Sequence, residues 1–141
     1  MSGNGLQLSS RPFGPLLRGT AVLFAIIISE SVNGTIRELL ITPELGDLKA
    51  RRVSFVIALL LITLITFFSI RWIRATSYLQ TMLVGLIWVI LMFCFEVALG
   101  RFVAGVSWDR IAQDYDVTRG GLMLFGLVYL LVVPTIAFRF R

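Results

Sequence analysis

Histidine is absent from this 141-residue chain, and cysteine occurs once, as Cys94. Without histidine the chain lacks the commonest metal ligand, the usual proton shuttle and the usual axial haem ligand. A zinc, copper or haem centre built by this chain alone is therefore not expected, and magnesium or calcium on carboxylates has no supporting pattern. One cysteine permits no intrachain disulfide, which sets aside the small bridged scaffolds of secreted proteins. Charge is scarce too. Charged residues make up 15% of the chain and apolar ones 57%, whereas soluble domains run at roughly 25% and 45–50%. These shortages exclude a soluble enzyme, a disordered chain and a repeat array. The length suits one domain.

What is present is long apolar runs. Val53 to Ile70 is 18 residues without a charge, bounded by Arg51, Arg52 and Arg71; Ala75 to Phe95 is 21 residues between Arg74 and Glu96. Gly120 to Phe138 is 19 residues between Arg119 and Arg139. Each is long enough to cross a bilayer, which takes roughly 20 residues. Pro134, one turn from the end of the last run, is tolerable there. The first apolar stretch differs: the charge-free part is Gly19 to Ser29, and Glu30, Asn33, Gly34, Arg37 and Glu38 follow before Leu39, Leu40 and Ile41. Pro43 and Gly46 mark its expected end. We read residues 16–41 as one helix, with a short re-entrant segment ending near Ser31 as the alternative.

The expected fold is thus all-α, a single transmembrane domain over residues 1–141, organised as a four-helix bundle. Its spans are approximately 16–41, 53–73, 76–100 and 120–138. Between the third and fourth spans Ser107 can cap a helix, with Asp109 in its first turn. Trp108, Ile111, Ala112 and Tyr115 then share one apolar stripe, opposite Asp109, Arg110, Gln113 and Asp114. This pattern over 107–115 predicts a short interfacial helix with its aromatic rings at headgroup level; an ordinary polar turn is the alternative.

The net charge is +5, from 12 arginines and Lys49 scattered between the apolar runs. They form no contiguous basic face, so the expected partners are membrane lipids and other integral membrane subunits, not nucleic acid. Residues 1–15 contain no apolar signal core, and Ser2 stands where myristoylation needs glycine, so neither a cleaved leader nor that anchor is expected. With four spans both termini lie on the same side. Arg11, Arg18, Arg71, Arg74, Arg139 and Arg141 would share that side with no acid. The other side would hold Arg37, Lys49, Arg51, Arg52, Arg101, Arg110, Arg119 and nearly all the acids. Six against seven is a tie on the positive-inside count. Discounting Arg37 and Arg101, which fall within helices, favours cytoplasmic termini.

Intramembrane charge is the informative feature. By span arithmetic Glu30 lies near the midplane, Glu96 about 6 Å from it, and Arg37 and Arg101 roughly 12 Å out, all towards the same leaflet. An unpaired charge at the bilayer centre costs roughly 2.5–3.5 kcal/mol or more, so these groups should meet inside the protein. Glu30, Asn33 and Arg37 share a helical face, and Gly34 permits close approach of another helix. Glu30, Asn33, Arg37, Glu96 and Arg101 are therefore the candidate cluster, with arginine forks gripping carboxylates. It can be a structural lock, a site for a partner helix or lipid headgroup, or a proton or ion path. The opposite leaflet offers little beyond Thr63, Thr66 and Thr81, which argues against a channel. Asp114 and Asp116 lack a nearby nucleophile, metal ligands or phosphate loop, so no catalytic residue is assigned. Trp88, Met92 and Phe95 are expected to pack or face lipid.

Two stretches also carry a resemblance. Glu30-Ser-Val-Asn-Gly-Thr-Ile-Arg37-Glu-Leu with Pro43 and Gly46-Asp47 is one; Phe95-Glu96 through Gly100-Arg101, Ser107-Trp108, Asp114-Tyr-Asp116 and Arg119-Gly-Gly is the other. Together they resemble a family of small four-helix bacterial integral membrane proteins that carries no assigned activity. The resemblance implies a bacterial inner membrane and no reaction. A small chain without catalytic signatures, and with a first helix too polar for lipid, points to a non-catalytic accessory or assembly subunit. A small transporter or proton-coupled carrier using Glu30 and Glu96 is the alternative.

Overall fold

A computed structural model of the chain describes residues 13–119 and 121–141. The expectations for the leader region and for Gly120 as the start of a span lie outside them. Among the described residues there are helices and turns and no strand. Helix α1 spans Phe13–Ile36 and passes through a wide π turn, Arg37–Ile41, into a short helix α2, Thr42–Leu45. Helix α3 is Asp47–Ile73, α4 is Tyr78–Ala98 continuing into a second π turn, Leu99–Val103, and α5 is Trp108–Tyr115. A 3-10 turn, Val117–Arg119, leads into α6, Met123–Arg139.

Three of these helical stretches are long and apolar enough to cross a membrane: Gly14–Leu45, Asp47–Ile73 and Tyr78–Val103. α6 is apolar and shorter, at 17 residues. α1 packs against α3 and α4, and α6 packs against the same two helices. The core between them is fully apolar in its middle, with Leu23, Ile26, Ile70, Trp88, Leu130 and Val133 nearly inaccessible. Large apolar side chains such as Phe24, Leu60, Phe68, Leu86, Ile90 and Val128 point outward and stay exposed. Helices apolar on both faces need an apolar surround.

Local chemistry explains the boundaries. The first helix does not stop before Pro43, as the sequence suggests; it continues to Leu45. The wide π turn loosens the hydrogen-bond ladder where the proline ring would strike a preceding carbonyl. Gly46 ends it, at φ 82°, a conformation that favours glycine. Residues 14–45 are helical throughout, so the re-entrant alternative is not what the chain adopts. α3 begins six residues before the expected 53, because Lys49, Arg51 and Arg52 occupy its first turns instead of a loop. α4 starts with a capping pair: Ser77 Oγ accepts from Gln80 N at 3.2 Å, and Gln80 Oε1 accepts from Thr76 N at 2.7 Å. α6 begins at Met123, later than expected, since the preceding residues form the turn that Asp116 organises.

The two ends of the helix assembly are built differently. At the end carrying the C-terminus, Arg18 Nε donates to Ile73 O at 2.9 Å and Arg141 Nη1 to Ala75 O at 3.1 Å. Both cations thus cover the carbonyls where α3 terminates. Trp88 Nε1, buried between helices, donates to Gly19 O at 2.8 Å. A Cβ placed on Gly85 would run into the Leu131 carbonyl oxygen, so α4 and α6 meet backbone to backbone there. The opposite end is capped by α5, which packs on α6 and on the second π turn.

Candidate functional site

The inward face of α1 runs Gly19, Val22, Ile26, then Glu30, Asn33 and Arg37. That of α4 runs Thr81, Val84, Trp88, Met92, then Glu96. In each helix the stripe facing the core changes from apolar to polar at the same level. The π turns follow within a few residues in both, so the two helices loosen together where they meet α5.

Asn33 is 6% exposed, and its Nδ2 donates to Ser54 O at 3.0 Å, tying α1 to α3. Its amide also lies beside the Glu30 carboxylate, whose Oε1 is buried without a hydrogen-bond partner. Glu30 and Glu96 lie within electrostatic reach of one another. Glu96 also feels Arg37 and, across the gap to α5, Asp114. The structure thus brings four of the five cluster residues together: Glu30, Asn33, Arg37 and Glu96.

The pairing inside that group differs from the expected arginine forks. Among the described residues no guanidinium approaches Glu30 or Glu96 within 4 Å. Arg37 Nε lies 3.4 Å from Oε1 of its neighbour Glu38, and that nitrogen makes no hydrogen bond. Arg101 turns away to α5: its Nη1 donates to Val106 O at 3.4 Å, and its guanidinium lies 5.3 Å from the Trp108 ring centroid. The second π turn swings residue 101 out of line with Glu96, a displacement that regular helix spacing cannot convey.

Depth also differs from the span arithmetic. Glu96 lies roughly 27 Å from Tyr78 at 1.5 Å per residue, close to the end of the apolar stretch and not near its middle. Glu30 shares this level because α1 is displaced along its axis. Gly19, near the start of α1, already sits against Val84 and Trp88, more than a turn into α4.

Over the carboxylates lies α5. Ser107 Oγ caps it by accepting from Arg110 N at 3.2 Å. The predicted stripe divides: Ile111 and Tyr115 are half-buried, while Trp108 and Ala112 are exposed. The helix is anchored by Arg51, whose Nη1 donates to Asp114 Oδ1 at 2.9 Å while its Nε lies 3.2 Å from Asp47 Oδ2. Arg110 Nη2 reaches Asp47 at 3.6 Å. Sequence reasoning treated Arg51 as a span boundary; a contact 63 positions distant in the chain leaves no local spacing to find it by. Asp116 organises the turn after α5 by accepting from Thr118 N at 3.0 Å and from its hydroxyl. The Thr118 side-chain bond, more than any other contact, holds the Asp116 carboxyl below its usual range.

Under α5 is a recess of about 170 Å³, lined by Glu96, Leu99, Gly100, Ala104, Val106, Ile111, Asp114, Tyr115 and Met123. Tyr115 packs edge-on against Phe93 at 5.4 Å between centroids, and its hydroxyl is buried without a hydrogen-bond partner. Burial first, then the charges of Glu96 and Asp114, push the phenol up to about 12. Among the described residues no three His, Cys, Asp or Glu converge to hold a metal ion. Asp114 and Asp116 serve the Arg51 pair and the turn respectively, and Trp88 and Met92 are core residues.

No protein-family model, no curated protein and no solved structure matches the chain.

Proposed function

We propose that the chain is a non-catalytic integral membrane protein of the bacterial inner membrane, acting as an accessory or assembly subunit of a larger membrane complex. In this reading all four long helices cross, with cytoplasmic termini, and α5 lies in the opposite interface. α6, at 17 residues, measures about 25 Å at 1.5 Å per residue; Arg119 and Arg139 at its flanks can snorkel over the small mismatch. The resemblance to small four-helix bacterial membrane proteins supports the same topology.

One observation carries the subunit role. The outward face of α1 is not uniformly lipophilic: Ser31, Thr35 and Glu38 are exposed on it, interleaved with Ala21, Ala25, Ile28 and Val32. A Cβ at Gly34 would meet nothing within 4 Å, so the helix also carries an open notch. Exposed faces of α3, α4 and α6 are lined instead by leucine, isoleucine, valine and phenylalanine. A mixed face with small residues suits another helix better than acyl chains. Purification in mild detergent followed by mass spectrometry should recover a stoichiometric membrane partner. Gly34→Leu, which meets no obstacle within the chain, should release that partner while leaving the chain folded. Recovery of the wild type solely as a free monomer would end this reading.

The buried, unpartnered Glu30 Oε1 beside Glu96 favours a second reading, a proton-coupled carrier. Against it stands the closed apolar core between these residues and the opposite end. Proton flux into vesicles that Glu30→Gln or Glu96→Gln abolishes would support the carrier. Loss of abundance alone would make the cluster a structural lock.

A further inference from the structure

The recess under α5 is polar on one side and apolar on the other, and its charge is incompletely balanced. Asp114 has its cation in Arg51 at 2.9 Å. Glu96, on the same wall, has no guanidinium within 4 Å among the described residues, and neither does Glu30 behind it. A carboxylate withdrawn from water requires a counter-charge or a proton. Beside Glu96 the buried Tyr115 hydroxyl offers an unused acceptor and donor. Leu99, Val106, Ile111 and Met123 supply the apolar wall. Arg101 stands next to Val106, its guanidinium spread over the Trp108 ring.

We infer that this recess binds the primary ammonium of a phosphatidylethanolamine headgroup, held by Glu96 and Tyr115, with the lipid phosphate on Arg101. The about 170 Å³ of space is on the order of five water volumes, enough for an aminoethyl group and too small for a whole headgroup with glycerol. The phosphate therefore falls at the rim, where Arg101 is. A primary ammonium donates three hydrogen bonds, whereas a trimethylammonium donates none and is bulkier. The recess should consequently discriminate between the two. A lipid is favoured over a metal ion because the apolar wall offers no ligand and no third carboxylate converges. The inference is independent of the subunit role, since a free monomer would carry the same recess.

The test is lipid titration of the delipidated full chain by native mass spectrometry, with phosphatidylethanolamine, phosphatidylcholine and phosphatidylglycerol of identical acyl chains. The wild type should bind phosphatidylethanolamine about tenfold more tightly than phosphatidylcholine, the worth of one charge-assisted hydrogen bond. Glu96→Gln should abolish that preference, and Tyr115→Phe should reduce it about threefold. Arg101→Gln should weaken both zwitterionic lipids alike, as loss of a phosphate contact requires. Equal binding of the two lipids by the wild type would overturn the inference, as would a preference that survives in Glu96→Gln. Should Glu96→Gln fail to fold, an undiminished preference in Tyr115→Phe is decisive against it. Free ethanolamine that competes at the lipid's own concentration would overturn the assignment to a lipid.

Discussion

At the end carrying the C-terminus, helices meet through backbone and buried apolar side chains, and the few polar groups there are satisfied: Trp88 on Gly19, Arg18 on Ile73, Arg141 on Ala75. At the end under α5 the same helices present carboxylates, widen into π turns and leave Glu30 Oε1, Arg37 Nε and the Tyr115 hydroxyl buried and unpaired. Native proteins pair nearly all buried polar groups. Three orphans within one cluster therefore mark where the chain gives up stability for something else, whereas the other end shows where that stability comes from. Both accessory-subunit and lipid-binding readings depend on this division of labour.

Substitutions at the two ends should expose the difference. The largest effect is expected for Trp88→Ala, which empties a fully buried site and leaves Gly19 O without its donor. A loss of about 3–5 kcal/mol should appear as a collapse of folded protein in detergent, measured by reversible unfolding. Next is Gly85→Ala, where the new methyl must push α4 from the Leu131 backbone; about 1–3 kcal/mol is expected in the same measurement. A smaller, local effect is expected for Asp114→Asn. The pair with Arg51 is partly exposed, so its worth is about 1 kcal/mol or less. Hydrogen exchange in α5 should rise while α4 and α6 stay protected. If Asp114→Asn unfolded the whole chain, the two ends would not be separable and the comparison would fail.

The smallest effect is a pH dependence. The Tyr115 phenol is raised from 10.0 to about 12, so the folded state keeps its proton where the unfolded chain has released it. Stability from this group is complete below pH 10 and lost as pH rises towards 12. Near-half exposure of the ring makes the contribution modest. Thermal unfolding followed between pH 9 and 12 should show a decline that Tyr115→Phe removes. An unchanged decline in that variant would place its origin elsewhere.

Much of the helical layout was readable because burial in an apolar surround demands long uncharged runs. Val53 to Ile70 and Ala75 to Phe95 fall inside α3 and α4, and Ser107 is the cap that its position implied. Glu30, Asn33 and Arg37 do share the inward face of α1, since their spacing alone places them there. The ends were less legible. Pro43 reads as a stop, yet a preceding π turn makes room for it, and such widening has no periodic signature. Arg101 was expected beside Glu96 and lies instead against Trp108 and Val106 for the same reason. The Ser77-x-x-Gln80 cap was available in the sequence as a capping pattern and helps explain why α4 starts at Tyr78.

Composition and spacing by themselves determined that the chain is helical, that three helices are long and apolar enough for a bilayer, and which residues line each inward face. These follow from hydrophobicity and a fixed 100° turn, which act within one helix. Tertiary packing decided the rest: the axial offset that brings Glu30 level with Glu96, the Arg51–Asp114 tie that seats α5, and the recess that this seating encloses. Those depend on the relative positions of helices far apart in the chain, and relative position is set by which surfaces fit, a quantity no single segment contains.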